Sequence, residues 1–378
     1  MTKTTTIGMD LGDKNNQICV LDAEGEILEE ASIVNTRAGL EKFFKEREPA
    51  VVAMEVGTHS PWISRALREW GHEPLIGNAH KLRAIWDSPN KNDQRDAELL
   101  ARIGRFDRKL LHPITHRGQG AQVDLAVVKA RDILVRTRTN LMCHTRSVVK
   151  SLGHRLPTCS PECFHTRALD GLPNELYPAL IGILEVIGGV NQQIKNYDEQ
   201  IKGLCKEDYP ETNRLRQVVG VGPVTSLGFV LTLEDPARFE KSRQVGPFLG
   251  LTRKIDQSGQ SDKALPISKA GDEYLRRLLV GAAHYILGPF GPPCRLREHG
   301  ERIASAGGKS AKKRAVVAVA RKLAVLLHHL WKTGDVYDPM YPAGGATELS
   351  IAAHPPEPER APTRAAMDNS SERVLNSA

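Results

Sequence analysis

Asn90-Lys91-Asn92-Asp93-Gln94-Arg95-Asp96-Ala97-Glu98-Leu99-Leu100 is the stretch that decides how the front of this chain folds. It reads as the opening turns of a helix. Asp93 and Asp96 are three residues apart and so share one helical face. Ala97, Leu100, Ala101 and Ile103 turn another face inward. Acids are ordinary in a first helical turn, where the macrodipole favours them. Two carboxylates at this spacing also repel, so the positions of the other acids in the region matter.

Upstream, Thr4-Thr5-Thr6-Ile7-Gly8-Met9-Asp10-Leu11-Gly12 is a β-rich run that closes on Asp10. Gly8 and Gly12 permit close backbone approach there. Gln17 to Leu21 is a second strand, Asp22-Ala23-Glu24-Gly25 a turn, and Glu26 to Val34 the return strand. Leu40, Phe43 and Phe44 recur at helical spacing until Pro49 stops the pattern. Ala50-Val51-Val52-Ala53-Met54-Glu55 is a nearly continuous apolar run, the mark of a buried central strand, and it too ends in a carboxylate. A helix over Trp62 to Trp70 and a short strand within His72 to Ala79 precede the Asp93 helix. The order predicts a mixed sheet covered by helices. Asp10 and Glu55 would end neighbouring strands, at the edge where α/β sheets gather ligands. With Asp93 and Asp96 that makes four carboxylates able to converge. Such hard oxygen donors suit Mg²⁺ or Mn²⁺, and two such ions serve phosphodiester chemistry.

Ile7-Gly8-Met9-Asp10-Leu11-Gly12, Met54-Glu55 and Lys91-Asn92-Asp93-Gln94-Arg95-Asp96-Ala97 together resemble the Asp-Glu-Asp-Asp site of insertion-sequence transposases akin to the Piv/MooV invertases, the one-ten family with its eleven-eleven subgroup. The resemblance implies a RuvC-like, ribonuclease H-like first domain whose metal ligands and catalytic acids are Asp10, Glu55, Asp93 and Asp96. Family members commonly carry Thr before the third acid; this chain has Asn92, also small and polar. Gly-x-Asp-x-Gly also occurs in the phosphate loops of actin-like and sugar kinases. Such a kinase needs a second phosphate loop and an adenosine loop; the matching place here reads Glu55-Val56-Gly57-Thr58.

Gln119 to Arg155 is one long helical pattern, with Val123, Val127, Ala130, Leu134, Leu141, Val148 and Leu152 marking an apolar seam. Eight lysines and arginines lie between His112 and Arg155, against Asp124 and Asp132. Asn174 to Glu207 is a second long helix, and the two predict an antiparallel helical hairpin or coiled coil. A basic helix face is usually solvated surface. Beside a phosphodiester site it points to nucleic acid, with Arg131, Arg136 and Arg138 as contacts, because cationic neutralisation of phosphate dominates such affinity. Val219-Gly220-Val221-Gly222-Pro223 resembles a helix-hairpin-helix element, in which the amides around Gly220 and Gly222 cradle a phosphate. Arg302 to Lys332 holds eight basic residues and no acid, with an apolar stripe from Val316 to Leu330. It predicts a helix that offers Lys312, Lys313 and Arg314 to nucleic acid.

Phe248-Leu249-Gly250-Leu251-Thr252, Gln257-Ser258-Gly259, Ile267 to Asp272 and Leu275-Arg276-Arg277-Leu278-Leu279 resemble the second, C-terminal transposase domain of the same family. There a serine joins the DNA, and the Ser-Gly after Gly250-Leu251-Thr252 carries that role to Ser258. Ser261, Ser268 and Ser242 are the alternatives. A serine hydroxyl needs a base or a metal to become nucleophilic. The resemblance further implies a homo-oligomer, a tetramer, joining element ends and target DNA under the guidance of a structured bridge RNA.

The expected class is thus α/β plus α: a RuvC-like catalytic domain at 1–112, a helical hairpin at 113–208, a helix-rich transposase domain at 209–341 and a disordered tail at 342–378. Other readings are a metal-dependent junction nuclease that only hydrolyses, and a nucleic-acid-binding protein with a dead site. The chain carries a net charge of +7 over 378 residues. The tail from Pro342 holds five acids and three arginines, which leaves +9 on the rest and points to a polyanionic partner. No signal peptide or membrane span is visible. The six scattered cysteines suit a reducing cytosol, so the expected place is the bacterial cytoplasm, at the nucleoid. Cys159, Cys163 and His165 crowd one loop but lack a regularly spaced fourth ligand for zinc.

Overall fold

The computed structural model describes residues 5–78, 92–254, 257–258, 261–262 and 265–340. Asn90, Lys91, Gly259 and the tail from Pro342 lie outside them. The chain divides into two compact units, Met1–Gly118 and Gln119–Ala378.

The first unit is built on a five-stranded mixed sheet of order β3-β2-β1-β4-β5. Strands β1 (Thr6–Asp10), β2 (Asn15–Leu21) and β3 (Ile27–Val34) form the antiparallel meander. Helix α1 (Arg37–Phe44), β4 (Val51–Glu55), α2 (Ser60–Glu69) and β5 (Glu73–Gly77) follow, with β4 parallel to β1 and β5 parallel to β4. Helix α3 (Asp93–Phe106) completes the set. The β2–β3 turn is held by Asp22, whose Oδ1 accepts from the amides of Glu24, Gly25 and Glu26 at 2.7–2.9 Å. Those bonds, led by the one from Glu26, hold its carboxyl below the usual carboxylate range. One sheet face packs Ile7, Met9, Val52 and Met54 against Leu40, Phe44, Ile63 and Leu67 of α1 and α2. The other face packs Val51, Ala53, Cys19 and Leu21 against Leu100, Ile103, Ala97 and Ala101 of α3.

The second unit is helical. Helices α4 (Gln119–Ser151) and α5 (Tyr177–Glu207) form an antiparallel hairpin. Asp124 meets Tyr209, Arg131 meets Asp198 and Arg138 meets Asn191, so one series climbs as the other descends. The expected seam on α4 is displaced. Leu125, Val128, Arg138, Thr145 and Val149 are buried, whereas Val123 and Leu152 are 58% and 52% exposed. The cause is that polar Arg138 and Thr145 fill inward positions, so counting apolar residues alone selects the neighbouring face. Beyond the hairpin come α6 (Pro223–Leu233), α7 (Glu273–Leu287), α8 (Arg295–Ser305) and α9 (Ala311–Thr333). Leu227, Leu231 and Tyr274 pack onto the hairpin base. Phe229, Val230, Leu275, Leu279, Leu323 and Leu327 belong to the main core.

Two further expectations for this unit are corrected. Arg302 to Lys332 is two helices, α8 and α9, because Gly307 and Gly308 both adopt positive φ, +75° and +90°, and break the run. The Gly220 turn has a full helix, α6, only on its far side; the near side is a single turn, Thr212–Leu215. Among the described residues no helix is long and apolar enough to cross a membrane.

Candidate metal centre and nucleic-acid surfaces

The acid site follows from strand parity. Ile7 and Met9 point into the α1/α2 core, so Gly8 and Asp10 belong to the opposite face, where α3 lies. Val52 and Met54 set the same parity for Ala53 and Glu55 on the parallel neighbour. The registered pair Met9 and Met54 puts Asp10 and Glu55 at one level, one residue further on. Helix α3 reaches this edge because its seam is made of small residues. A Cβ on Gly8 would lie 1.9 Å from the Ala97 carbonyl oxygen and 2.5 Å from the Ala101 nitrogen. One on Gly104 would lie 2.9 Å from the Ala53 Cβ.

The start of α3 is fixed twice. Asn92 is its N-cap, and its side chain accepts from the Gln94 amide at 3.1 Å. Asn92 thus supplies the capping oxygen that a Thr at this place also could. The Gln94 side chain donates to the Ile18 carbonyl at 3.0 Å and ties the helix start to β2. Asp93 and Asp96 then stand in the first turn, where the helix dipole favours negative charge.

The structure brings Asp10, Asp93 and Asp96 together: one carboxylate oxygen from each lies within 4.8 Å of the others. Among the described residues this is the one such group, and Cys159, Cys163 and His165 form none. Glu55, half-buried at the end of β4, stands outside the set of three. Neither Asp93 nor Asp96 has an ion pair among the described residues. Three mutually repelling hard-oxygen donors fit a divalent cation that takes its remaining ligands from water or phosphate.

The candidate serines are all in the second unit. Ser258 lies in the two-residue strand β6 (Gln257–Ser258), directly across from Ser261 in β7 (Ser261–Asp262). Ser268 accepts from the Ala270 amide at 3.4 Å. Ser242 has a partner that the sequence did not disclose: its Oγ is 2.9 Å from Nδ1 of buried His328, whose Nε2 is 3.0 Å from the Pro236 carbonyl. A carbonyl only accepts, so Nε2 carries the proton and Ser242 donates to Nδ1. Burial holds the His328 pKa below the ordinary histidine value.

The basic residues divide by role. Arg138 is buried, donating to Asn191 at 2.8 Å and Glu162 at 3.3 Å, and Arg131 pairs with Asp198 at 2.5 Å. Both hold the hairpin together. Arg136 is exposed and pairs with Asp132 at 3.1 Å. The same Asp132 receives a two-pronged bond from Arg277, which fastens α4 to α7. Gly220 has φ +82°, and a Cβ there would come within 3.0 Å of the Ala282 carbonyl oxygen. Gly222 is exposed at the N-cap of α6 and faces open space. Lys312, Lys313 and Arg314 are exposed in the first turn of α9, a place the helix dipole makes unfavourable for cations.

A mixed α/β unit with acids clustered at the carboxyl end of its central strand, followed by a basic helical unit, fits the class of nucleic-acid-processing enzymes that use a divalent metal. Residues 7–153 match the sequence model of the DEDD transposases of IS110, described as "Transposase", and residues 212–295 match that of the "Transposase IS116/IS110/IS902 family". The chain is 28% identical over 289 residues to the transposase for insertion sequence element IS1328 of Yersinia enterocolitica, covering 75% of this chain and 84% of that protein. It is 26% identical over 300 residues to the transposase for insertion sequence element IS1111A of Coxiella burnetii, covering 74% and 77%. It is also 28% identical over 313 residues to the putative transposase y4pF/y4sB of Sinorhizobium fredii, covering 80% and 78%. The chain belongs to the IS110 family of insertion-sequence transposases. It is therefore a DNA-acting enzyme, and membership implies dependence on a divalent metal.

Proposed function

We propose that this transposase exchanges DNA strands with a ribonuclease H-like first unit that holds Mg²⁺ or Mn²⁺ on Asp10, Asp93 and Asp96, with Glu55 completing the site, and with Ser258 as the nucleophile. The observation that carries the metal reading is the approach of three carboxylate oxygens within 4.8 Å. Bound there, a divalent cation supplies charge neutralisation for a phosphodiester under attack. Asp10 contributes from a rigid strand and Asp93 and Asp96 from a capped helix, which keeps the donors preorganised. In functional terms, residues 1–112 cleave, the hairpin of 113–208 grips nucleic acid and residues 209–341 carry the serine.

The Ser258 hydroxyl gives up its proton as Oγ bonds to phosphorus, the bond from phosphorus to the deoxyribose oxygen breaks and that oxygen takes up a proton, so the phosphodiester is conserved as a protein ester with no net change in protons. The support is the Gly250-Leu251-Thr252 and Ser258 order, which follows the family's pattern. A structured guide RNA and a tetramer belong to the same reading, as does work at the nucleoid in the cytoplasm. Exposed Arg136, Gly222, Lys312, Lys313 and Arg314 are the proposed contacts to nucleic-acid phosphate.

The test is chemical. Wild-type protein incubated with labelled target DNA, guide RNA and Mg²⁺, then denatured and digested, should leave a nucleotide on the peptide containing Ser258. Ser258→Ala should bind DNA yet form no adduct. Label on Ser261 or Ser268 would move the role to that residue. Cleavage by Ser258→Ala, with no adduct in wild type, would instead establish a water-activating junction nuclease.

A further inference from the structure

We propose that a cleft between α7, α8 and α9 seats an unpaired nucleobase, with Lys312 and Lys313 on the flanking phosphates. The proposal rests on the strand-exchange reading, which requires bases to leave their duplex. The cleft has a volume of about 450 Å³, within the range of small-ligand sites. Its apolar wall comes from Leu287, Ala304 and Val316, and Lys312 and Lys313 stand beside them. His284 and Glu301 are its other polar side chains. Glu301 is engaged by Arg297 at 2.7 Å, but neither lysine has an acidic partner among the described residues.

Three features point to a nucleotide of an unpaired strand. The wall is apolar and concave, so it fits a flat ring that has lost its stacking neighbours; in a duplex that ring face is covered. The charge on the α9 side of the cleft is positive, and the one acid of its lining, Glu301, is already paired with Arg297. Lys309, Lys312, Lys313 and Arg314 come within six residues with no acid, at a helix start where cations cost stability unless an anion offsets them. Exposed aromatic rings accompany the cleft in sequence. Tyr285 follows His284 and is 49% exposed, and Phe290 is two residues past Gly288 and 81% exposed. Unpartnered rings near a basic surface are stacking platforms for further bases. DNA and RNA share this chemistry, and the two are separated by the probe.

The experiment uses the full chain and short single-stranded oligonucleotides of one sequence, as DNA and as RNA, each also made with abasic positions, and the corresponding duplex. Ala304→Trp fills the cleft and leaves every charge in place. It should weaken single-strand binding about tenfold, the scale of one lost base contact, and leave duplex binding unchanged. Wild type should bind the abasic strands as weakly as Ala304→Trp binds the intact ones. Lys312→Ala with Lys313→Ala should weaken every probe and flatten the salt dependence. The tighter of the DNA and RNA arms names the strand the seat takes. Equal binding of intact and abasic strands by wild type would overturn the seat, and that result does not depend on any variant folding. If duplex binding persists in that case, the transposase reading stands without the seat. Loss of all nucleic-acid binding in wild type would remove both.

Discussion

Gly8 sets the distance between a strand and a helix, and that distance brings Asp10 to Asp93 and Asp96. The Cβ of an alanine would fall 1.9 Å from a backbone oxygen of α3, which cannot swing aside as a flexible side chain would. Gly8→Ala should therefore push α3 away, cost about 3 kcal/mol of stability and abolish strand exchange. Gly57→Ala, where a Cβ meets nothing within 4 Å, is the matched control and should change neither. Denaturant midpoints and an exchange assay check both. The sequence marks Gly8 as a place of close approach but does not name the partner, because Ala97 and Ala101 lie far along the chain. His328 carries a second residue-scale prediction. Its folded-state pKa lies below the ordinary value of about 6.5, so the folded protein binds fewer protons than the unfolded chain. Its stabilising effect is complete above about pH 6.5 and declines as the pH falls below it. Burial lowers His116 and His299 in the same direction. His328→Gln should thus reduce, without abolishing, the loss of denaturation midpoint on acidification; an unchanged slope would show that His328 is not a contributor.

At the scale of elements, the strands of the first unit and the acids that end them were legible. β1 and β4 show it most clearly: a β-rich run and a nearly continuous apolar run put Asp10 and Glu55 at the ends of adjacent strands, and the register pairs Met9 with Met54. Helix α4 was legible in extent but not in orientation. Its inward face contains Arg138, bonded to Asn191, and Thr145, bonded to the Leu141 carbonyl, and polar residues satisfied within a seam look like surface in a sequence. The division of α8 from α9 rests on Gly307-Gly308, which apolar periodicity on either side conceals. The corrected hairpin changes its own test. Reversing Arg131 or Arg138 would break bonds within the hairpin, so exposed Arg136 and Lys150 are the positions to reverse. Arg136→Glu with Lys150→Glu should keep the helix content and lower the slope of log affinity against log salt by about two. An unchanged slope would return this face to solvent.

For the whole molecule, a basic chain and a convergent group of acids point to one chemistry. Charge says that the chain outside its tail is basic enough to seek a polyanion. Among the described residues three acids converge where β1 meets the start of α3, and an acid cluster in a DNA-acting protein calls for cations. The sequence supplies the acids and their order. Their convergence depends on the packing of α3 across β1, a contact between residues some ninety positions apart, and could only be read from the fold. The most direct measurement is Mn²⁺ binding by electron paramagnetic resonance, made beside metal-dependent strand exchange, on wild type and on Asp10→Asn, Asp93→Asn and Asp96→Asn. Each substitution removes one charge from a repelling group, so each variant should fold as well as wild type or better. Each should lose tight Mn²⁺ binding, and exchange should fall by about a thousandfold. Wild-type Mn²⁺ affinity and exchange in the Asp93→Asn and Asp96→Asn variants would contradict the assignment.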